Sequence, residues 1–209
     1  MRQRRGVSDA CTGILLAAGQ GKRFGANKLL HPLADGTPLA LASAQQLQAA
    51  LPLSIAVVAD SEGELAMQLK RLGLQVVANP HAMQGMGTSI ACGVAASRTA
   101  RGWVIALADM PWVPPGVIRE VAAALVQGAD IVAPTCQGRR GHPVGFAARH
   151  GAALQQLRGD AGARGIIAVH RASLQIIETA EQGVLLDIDV PASLLTGQAA
   201  PDRGPDSFG

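Results

Sequence analysis

The stretch that decides the fold runs over residues 12–28 and reads Thr12-Gly-Ile-Leu-Leu-Ala-Ala-Gly-Gln-Gly-Lys-Arg-Phe-Gly-Ala-Asn-Lys28. Its first half, residues 12–18, carries no charge and contains three large aliphatic side chains, which predicts a short buried strand. Its second half holds three glycines and three cations and predicts a loop. Glycines let backbone N–H groups approach phosphates and cations neutralise the charge, so this pattern is typical of a polyphosphate-binding loop in an α/β protein.

Spacing excludes two better-known phosphate loops. A Walker A loop needs Gly-Lys-Ser/Thr at its end, whereas Gly25 is followed by Ala26 and Asn27. A dinucleotide fingerprint needs a third glycine where Phe24 stands. An ordinary glycine turn with solvated charges remains an alternative for the loop taken alone.

Outward from this stretch, strand and helix patterns alternate over the first two-thirds of the chain. Alternation of this kind predicts a three-layer α/β fold, with a mostly parallel, Rossmann-like sheet covered by helices on both faces. Ligands of such sheets lie beyond the carboxyl ends of the strands. The predicted strands are 12–18, 54–59, 76–78, 103–108, 131–133, 144–147, 174–177 and 184–186, and the main helices are 38–50, 65–72 and 115–127, with another after the 84–89 loop, where Thr88 or Ser89 is the expected cap.

The bulk properties predict one globular domain over residues 12–195, between a disordered arm (1–11) and a disordered tail (196–209). Of the 209 residues 48% are hydrophobic but only 2% aromatic, so the core must be aliphatic and rich in alanine. The net charge of +3 comes from Arg2, Arg4 and Arg5 in the arm. Without these three arginines the positive and negative charges balance, and aromatic residues are few, which argues against a nucleic-acid-binding surface.

The chain is expected to be cytoplasmic. No apolar run approaches membrane-spanning length, and the apolar segment after the arginines is too short for a signal peptide. Cys11, Cys92 and Cys136 are isolated and odd in number, which favours reduced thiols over disulfides or metal ligands.

The pattern Leu16-Ala-Ala-Gly-x-Gly-x-Arg-Phe-Gly-x-x-Lys28 resembles the signature of the MobA-like nucleotidyltransferases. The resemblance covers roughly residues 12–195. It implies in-line attack by an acceptor phosphate on a nucleoside triphosphate, in which charge neutralisation and alignment supply most of the catalysis. It also implies nucleotide contacts at Leu16, Ala17, Ala18, Gly19, Gly21, Arg23, Lys28, Gly85 and Ser89.

The same resemblance assigns catalytic roles to Arg23, Lys28 and Asp109. Arg23 and Lys28 would bind the triphosphate, and Asp109, in Leu-Ala-Asp-Met-Pro, would hold Mg²⁺; a helix cap is the alternative for that aspartate. Asp187 and Asp189 lie two apart and face the same side of an extended segment, so either could complete the metal site, with Asp189 preferred. The family often continues Asp-x-Asp-Thr-Pro-Glu-Asp, and the last polar positions are replaced here, for example by Val190.

Ala18 places the chain nearer the cytidylyl branch, because the guanylyl branch has Leu-Ala-Gly-Gly at this point. One methyl group discriminates by roughly 1–3 kcal/mol at best. Contacts with the acceptor are expected at Gln84 and Met86 in the second glycine loop, and at His142 and Arg164 in two segments that recur in the same branch. A helix start, a structural histidine and a turn cap are the respective alternatives.

The expected activity is transfer of CMP from CTP to the terminal phosphate of molybdopterin, the molybdenum cofactor, with Mg²⁺ and release of pyrophosphate. A recipient molybdenum hydroxylase is a further expected partner. Use of GTP or of a sugar phosphate keeps the chemistry and changes the substrates. A non-catalytic cofactor chaperone predicts damage to Arg23, Lys28 or Asp109, and all three are intact. An NAD(P)-dependent oxidoreductase would need an acidic ribose ligand, for which Asp60 is a weak candidate.

Overall fold

The computed structural model describes residues 10–19 and 28–188. The predictions for Gly21, Arg23, Asp189 and the tail, and those for residues 1–9 of the arm, lie outside the described residues. Cys11 is buried at the start of the fold, where its thiol donates a hydrogen bond to the Ala122 carbonyl oxygen at 3.7 Å.

Eight strands form one sheet, in the order β3-β2-β1-β4-β7-β5-β6 with β8 beside β5. The neighbours β1, β2, β3 and β4 are parallel, as are β5 and β8, whereas β7 runs antiparallel between β4 and β5. The predicted mostly parallel sheet is therefore confirmed. The strands are β1 Thr12–Ala17, β2 Ser54–Val58, β3 Gln75–Ala78, β4 Gly102–Leu107, β5 Ile131–Cys136, β6 Arg139–Arg140, β7 Val144–Ala147 and β8 Leu174–Glu178.

Helices cover both faces of the sheet, as predicted. One face packs against α1, α2 and α4 around side chains such as Leu47 and Val121, and the other packs against α3, α5 and α6 around Ile90 and Leu154. Strands buried on both faces explain the uncharged, aliphatic sequences of β1, β2 and β4. The helices are α1 Leu39–Ala50, α2 Glu64–Arg71, α3 Met86–Ala96, α4 Pro115–Val126, α5 Gly151–Gln155 and α6 Arg164–Val169.

The expected cap of α3 was wrong. The helix begins at Met86, three residues before Ser89, and its N-cap is Gly85, which has φ +104° and provides no side-chain cap. The left-handed backbone of Gly85 reverses the chain between the Ala82–Gln84 3-10 turn and the helix. Thr88 and Ser89 lie inside the helix, where they accept hydrogen bonds from Asn79.

The predicted strand over residues 184–186 was also wrong. Gln182–Leu185 forms a 3-10 turn, and within it Gly183 packs so closely on Trp112 that a Cβ would lie 2.0 Å from the Trp112 carbonyl oxygen. The β5–β6 hairpin was missed, since its turn places Gln137, a residue without the usual turn signature, at φ 53° before Gly138.

Among the described residues, no helix is long and apolar enough to cross a membrane.

Candidate active site

The site lies where β1 and β4 end side by side. These strands are parallel, with Leu16 opposite Leu107, and the Ala108 N–H donates to the Leu16 carbonyl oxygen at 3.2 Å. Ala18 and Gly19, which follow β1, therefore lie on the same edge of the sheet as Asp109, which follows β4. Sequence alternation alone predicted that these two segments share the carboxyl edge of the sheet.

A cavity of about 450 Å³ opens at this edge. The volume suits a small-molecule ligand. The walls are mainly apolar, with an ion pair, one hydroxyl and one further carboxylate. The described residues that line the cavity are Leu16, Ala18, Gly19, Lys28, Leu29, Ala82, Met83, Gly85, Met86, Ser89, Leu107, Asp109 and Asp160.

Lys28 and Asp109 form the charged part of the wall. Lys28 starts a short 3-10 turn, Lys28–Leu30, and its Nζ donates to Asp109 Oδ2 at 3.1 Å. The Lys28 side chain is 12% exposed and that of Asp109 is 28% exposed. The pair places an ammonium group and a carboxylate next to each other in the wall of the cavity.

The backbone around Asp109 is held on two sides. The Ser43 hydroxyl of α1 donates to the Ala108 carbonyl oxygen at 2.9 Å, and the Ile188 N–H donates to the Asp109 carbonyl oxygen at 3.1 Å. The second bond brings the C-terminal segment to the metal-ligand candidate. Asp187, which precedes Ile188, is exposed.

The donor set fits a hard divalent cation. Asp109 offers a partly exposed carboxylate, of which Oδ2 pairs with Lys28. Mg²⁺ in nucleotide sites is held by one or two carboxylates, with waters and substrate phosphates completing the shell. Within residues 10–19 and 28–188 no group of three or more His, Cys, Asp or Glu side chains could hold a metal, so a metal at Asp109 would need such outside ligands.

The opposite wall is formed where the start of α3 meets the loop before α6. The Gly87 N–H donates to the Gly159 carbonyl oxygen at 2.8 Å, and a Cβ on Gly85 would lie 2.5 Å from Asp160 Oδ1. Only a glycine at position 85 allows this approach. The contact places the Asp160 carboxylate at the cavity beside Met86 and Ser89.

His142 lies near Asp109 without lining the cavity. Its Nδ1 is shut off from solvent and has no hydrogen-bond partner among the described residues. Burial lowers the pKa of His142 to about 4; Asp109 opposes this shift, and Arg140 and Arg164 add to it. The imidazole is therefore neutral at pH 7.

This depressed pKa predicts a pH dependence of stability. Between the unfolded pKa of about 6.5 and the folded pKa of about 4, the unfolded chain binds the extra proton, so the contribution of His142 is complete above pH 6.5 and lost as the pH falls. We expect wild-type protein to lose about 2–2.5 kcal/mol between pH 7 and 4.5 that His142→Gln does not lose. Urea unfolding at several pH values measures this difference.

Titration of Asp130 does not contribute to the loss of stability between pH 7 and 4.5. Burial raises its pKa, but hydrogen bonds from Arg149 and His150 outweigh burial and hold the pKa below 3.8. Its contribution is therefore lost only below the chosen pH range. Equal losses in wild type and His142→Gln would contradict the prediction for His142.

The structure brings most of the predicted nucleotide contacts together: Leu16, Ala18, Gly19, Lys28, Gly85 and Ser89 line one cavity with Asp109 and Met86. Ala17 points into the core, and Gln84 and Arg164 are exposed outside the lining. Sequence reasoning missed Leu29, Ala82, Met83, Leu107 and Asp160. Met83 lies one residue before the predicted 84–89 loop, and Asp160 lies four residues before the predicted acceptor contact Arg164.

The fold and the site define a nucleotidyltransferase-like α/β domain. Residues 13–175 match the MobA-like NTP transferase domain model. The chain belongs to this family of nucleotidyltransferases related to molybdenum cofactor synthesis.

The names of two relatives describe different activities. Nicotine blue oxidoreductase of Paenarthrobacter nicotinovorans is 27% identical over 85% of this chain and 91% of its own length. A probable molybdenum cofactor guanylyltransferase of Thermococcus gammatolerans is 32% identical over 49% of this chain and 50% of its own length.

The solved structure of Rv0371c from Mycobacterium tuberculosis has the same fold. It superposes with a TM-score of 0.70 at 25% identity, covering 81% of this chain and 88% of that chain. A second structure of Rv0371c, a complex with manganese, superposes with a TM-score of 0.65 at 24% identity over the same shares.

Proposed function

We propose that this protein is a molybdenum cofactor cytidylyltransferase, which transfers CMP from CTP to the terminal phosphate of molybdopterin and releases pyrophosphate. The observation that carries the proposal is the Lys28–Asp109 ion pair in the wall of a nucleotide-sized cavity, at the carboxyl ends of β1 and β4. Family membership supports the reaction class. Ala18, which lines the cavity, supports the choice of cytidine.

The chain's own residues mainly position charge. Lys28 binds the triphosphate and offsets the negative charge that brings two anionic reactants together. Asp109 would hold a divalent cation, which would supply Lewis-acid stabilisation of the phosphates. Arg23, which lies outside the described residues, acts with Lys28 in this proposal. Because phosphate groups compete for Lys28, its bond to Asp109 lengthens when nucleotide is bound.

The acceptor enters over the apolar mouth of the cavity. Met83 and Met86 are 61% and 40% exposed, and both line the cavity. Flexible thioether side chains pack against flat conjugated rings with favourable sulfur–ring contacts. A pterin ring system fits this surface, and its phosphate then points toward Asp109. Gln84, His142 and Arg164 remain proposed acceptor contacts.

The base preference is tested at Ala18. Ala18 is 4% exposed and lines the cavity, so its methyl group would take room beside a bound nucleotide. We expect Ala18→Gly to retain activity with CTP and to raise the relative use of GTP by about tenfold, the effect of one methyl group at a binding surface. Measured kcat/KM values for both nucleotides give this ratio. An unchanged ratio would remove Ala18 from the argument for cytidine.

The decisive assay measures pyrophosphate release with molybdenum cofactor, Mg²⁺ and each of CTP, GTP, ATP and UTP in separate reactions. Preference for CTP is the expected result. Preference for GTP would keep the mechanism and overturn the base assignment. Activity only with a sugar phosphate acceptor would change the acceptor. Cofactor binding without turnover would favour a chaperone.

An oxidoreductase is the second candidate, and the long alignment with nicotine blue oxidoreductase favours it. That reading predicts oxidation of NADH or NADPH by a flat conjugated substrate, without pyrophosphate release and without a requirement for a divalent cation. Asp60, at the end of β2, does not line the cavity. Asp60→Asn therefore leaves nucleotidyl transfer unchanged but weakens a reaction that uses Asp60 as a ribose ligand.

A further inference from the structure

Asn79 is a buried residue next to the cavity that the reaction as proposed does not use. It follows β3, is 3% exposed, and its backbone N–H donates to the Val58 carbonyl oxygen at 2.7 Å. Its side-chain amide reaches three groups: the His81 N–H, the Thr88 hydroxyl and the Ser89 hydroxyl. Burial of an amide with every polar atom satisfied fixes its orientation.

The orientation of this amide follows from what each partner can do. A backbone N–H can only donate, so the Asn79 atom that receives the His81 N–H at 2.9 Å is Oδ1. The other atom is then Nδ2, which only donates. Its two hydrogens reach Thr88 Oγ1 at 2.9 Å and Ser89 Oγ at 3.0 Å.

The two hydroxyls that accept from Asn79 differ in where their own protons go. Thr88 Oγ1 lies 2.9 Å from the His81 carbonyl oxygen and 2.8 Å from the Gly85 carbonyl oxygen, so its proton has a protein acceptor. Ser89 Oγ has no acceptor within hydrogen-bond distance among the described residues. Ser89 is 5% exposed and lines the cavity.

We infer that Asn79 is a positioning residue that makes the Ser89 hydroxyl a hydrogen-bond donor to the ligand in the cavity. The amide occupies one lone pair of Ser89 Oγ, and the hydroxyl proton, which has no acceptor among the described residues, is left to be donated to a ligand in the cavity. Ser89 then selects a base edge that presents an acceptor, a ring carbonyl oxygen or an unprotonated ring nitrogen. The inference rests on the proposed function in assigning a nucleotide to this cavity.

Asn79→Asp reverses this polarity with almost no change of shape. A carboxylate only accepts, so it would still receive the His81 N–H and would now receive the Ser89 proton as well. Ser89 would then turn lone pairs toward a ligand atom that also carries lone pairs. Ser89→Ala removes the hydroxyl altogether, and Thr88→Val is the matched control, because it removes a hydroxyl bound to the same amide but not facing the cavity.

The test measures Kd for CTP, GTP, ATP and UTP with Mg²⁺ by titration calorimetry, together with KM and kcat for pyrophosphate release. We expect Asn79→Asp and Ser89→Ala each to raise Kd and KM for the preferred nucleotide about tenfold or more, with kcat changed less than threefold. The double variant, Asn79→Asp with Ser89→Ala, should have a Kd no higher than that of the single variant with the higher Kd, since both changes remove the same contact with the ligand. Thr88→Val should lower Tm and leave Kd unchanged.

An unchanged Kd in Asn79→Asp, a multiplicative loss in the double variant, or an equal loss in Thr88→Val would each overturn the inference. If Asn79→Asp does not fold, Asn79→Ala takes its place; it should raise Kd in the wild-type background and not in Ser89→Ala. Nucleotide binding without pyrophosphate release would overturn the proposed function alone. Wild-type protein that binds none of the four nucleotides would overturn both.

Discussion

Asp109→Asn is expected to lower kcat for nucleotidyl transfer by about three orders of magnitude while the protein stays folded. The substitution keeps the shape of the side chain and removes the anion that holds the divalent cation, and one preorganised charge contact at a transferring group is worth about 10²–10³ or more in rate. Steady-state pyrophosphate release with saturating Mg²⁺ and nucleotide measures the loss.

The ion pair with Lys28 contributes little to this result. The pair is partly exposed at the cavity wall, so its loss costs less than about 1 kcal/mol of folding free energy. The near-native Tm expected for Asp109→Asn separates loss of chemistry from loss of structure. Glu64→Gln, on the exposed start of α2, is the control for removing a carboxylate away from the cavity. Full activity in Asp109→Asn would overturn the assigned role.

Gly85→Ala is expected to give the largest loss of stability at the site. The residue has φ +104°, which costs an alanine about 1–3 kcal/mol. The added Cβ would also lie 2.3 Å from the Gly159 carbonyl carbon, a backbone atom that no side-chain rotation can move. Together these effects predict a loss above about 3 kcal/mol, which lowers Tm by roughly 6–12 °C. Activity should fall too, because relief of the clash separates Asp160 from α3.

Gly128→Ala separates backbone strain from the clash. Gly128 has φ +105°, nearly the same φ as Gly85, but a Cβ there would meet nothing within 4 Å. It ends the α4 segment and is not part of the cavity lining. We expect a cost of about 1 kcal/mol and unchanged kcat/KM. Equal Tm losses in Gly85→Ala and Gly128→Ala would show that the Gly159 backbone moves to accommodate the added Cβ at little cost, which would contradict the prediction.

The sequence predicted the framework because the framework depends on short-range patterns. Uncharged aliphatic runs such as Ile14–Leu16 indicate strands buried on both faces, and alternation with helices then fixes a mostly parallel sheet. The same logic placed Ala18, Lys28 and Asp109 at one sheet edge. Two of the errors, the α3 cap at Thr88 or Ser89 and the strand over residues 184–186, fell where a glycine makes a close backbone contact with a distant segment.

Sequence by itself determined the family, through the motif over residues 16–28. It also determined the sheet with its two helical layers and the edge at which the charged residues meet, since these follow from local periodicity and from the direction of parallel strands. Tertiary structure alone decided that Asp160 closes the cavity beside Gly85, that His142 is buried beside Asp109, and that Asn79 donates to Ser89. These contacts join segments brought together by the sheet and loops, and their orientation depends on packing and on the count of donors and acceptors. No local pattern encodes that count.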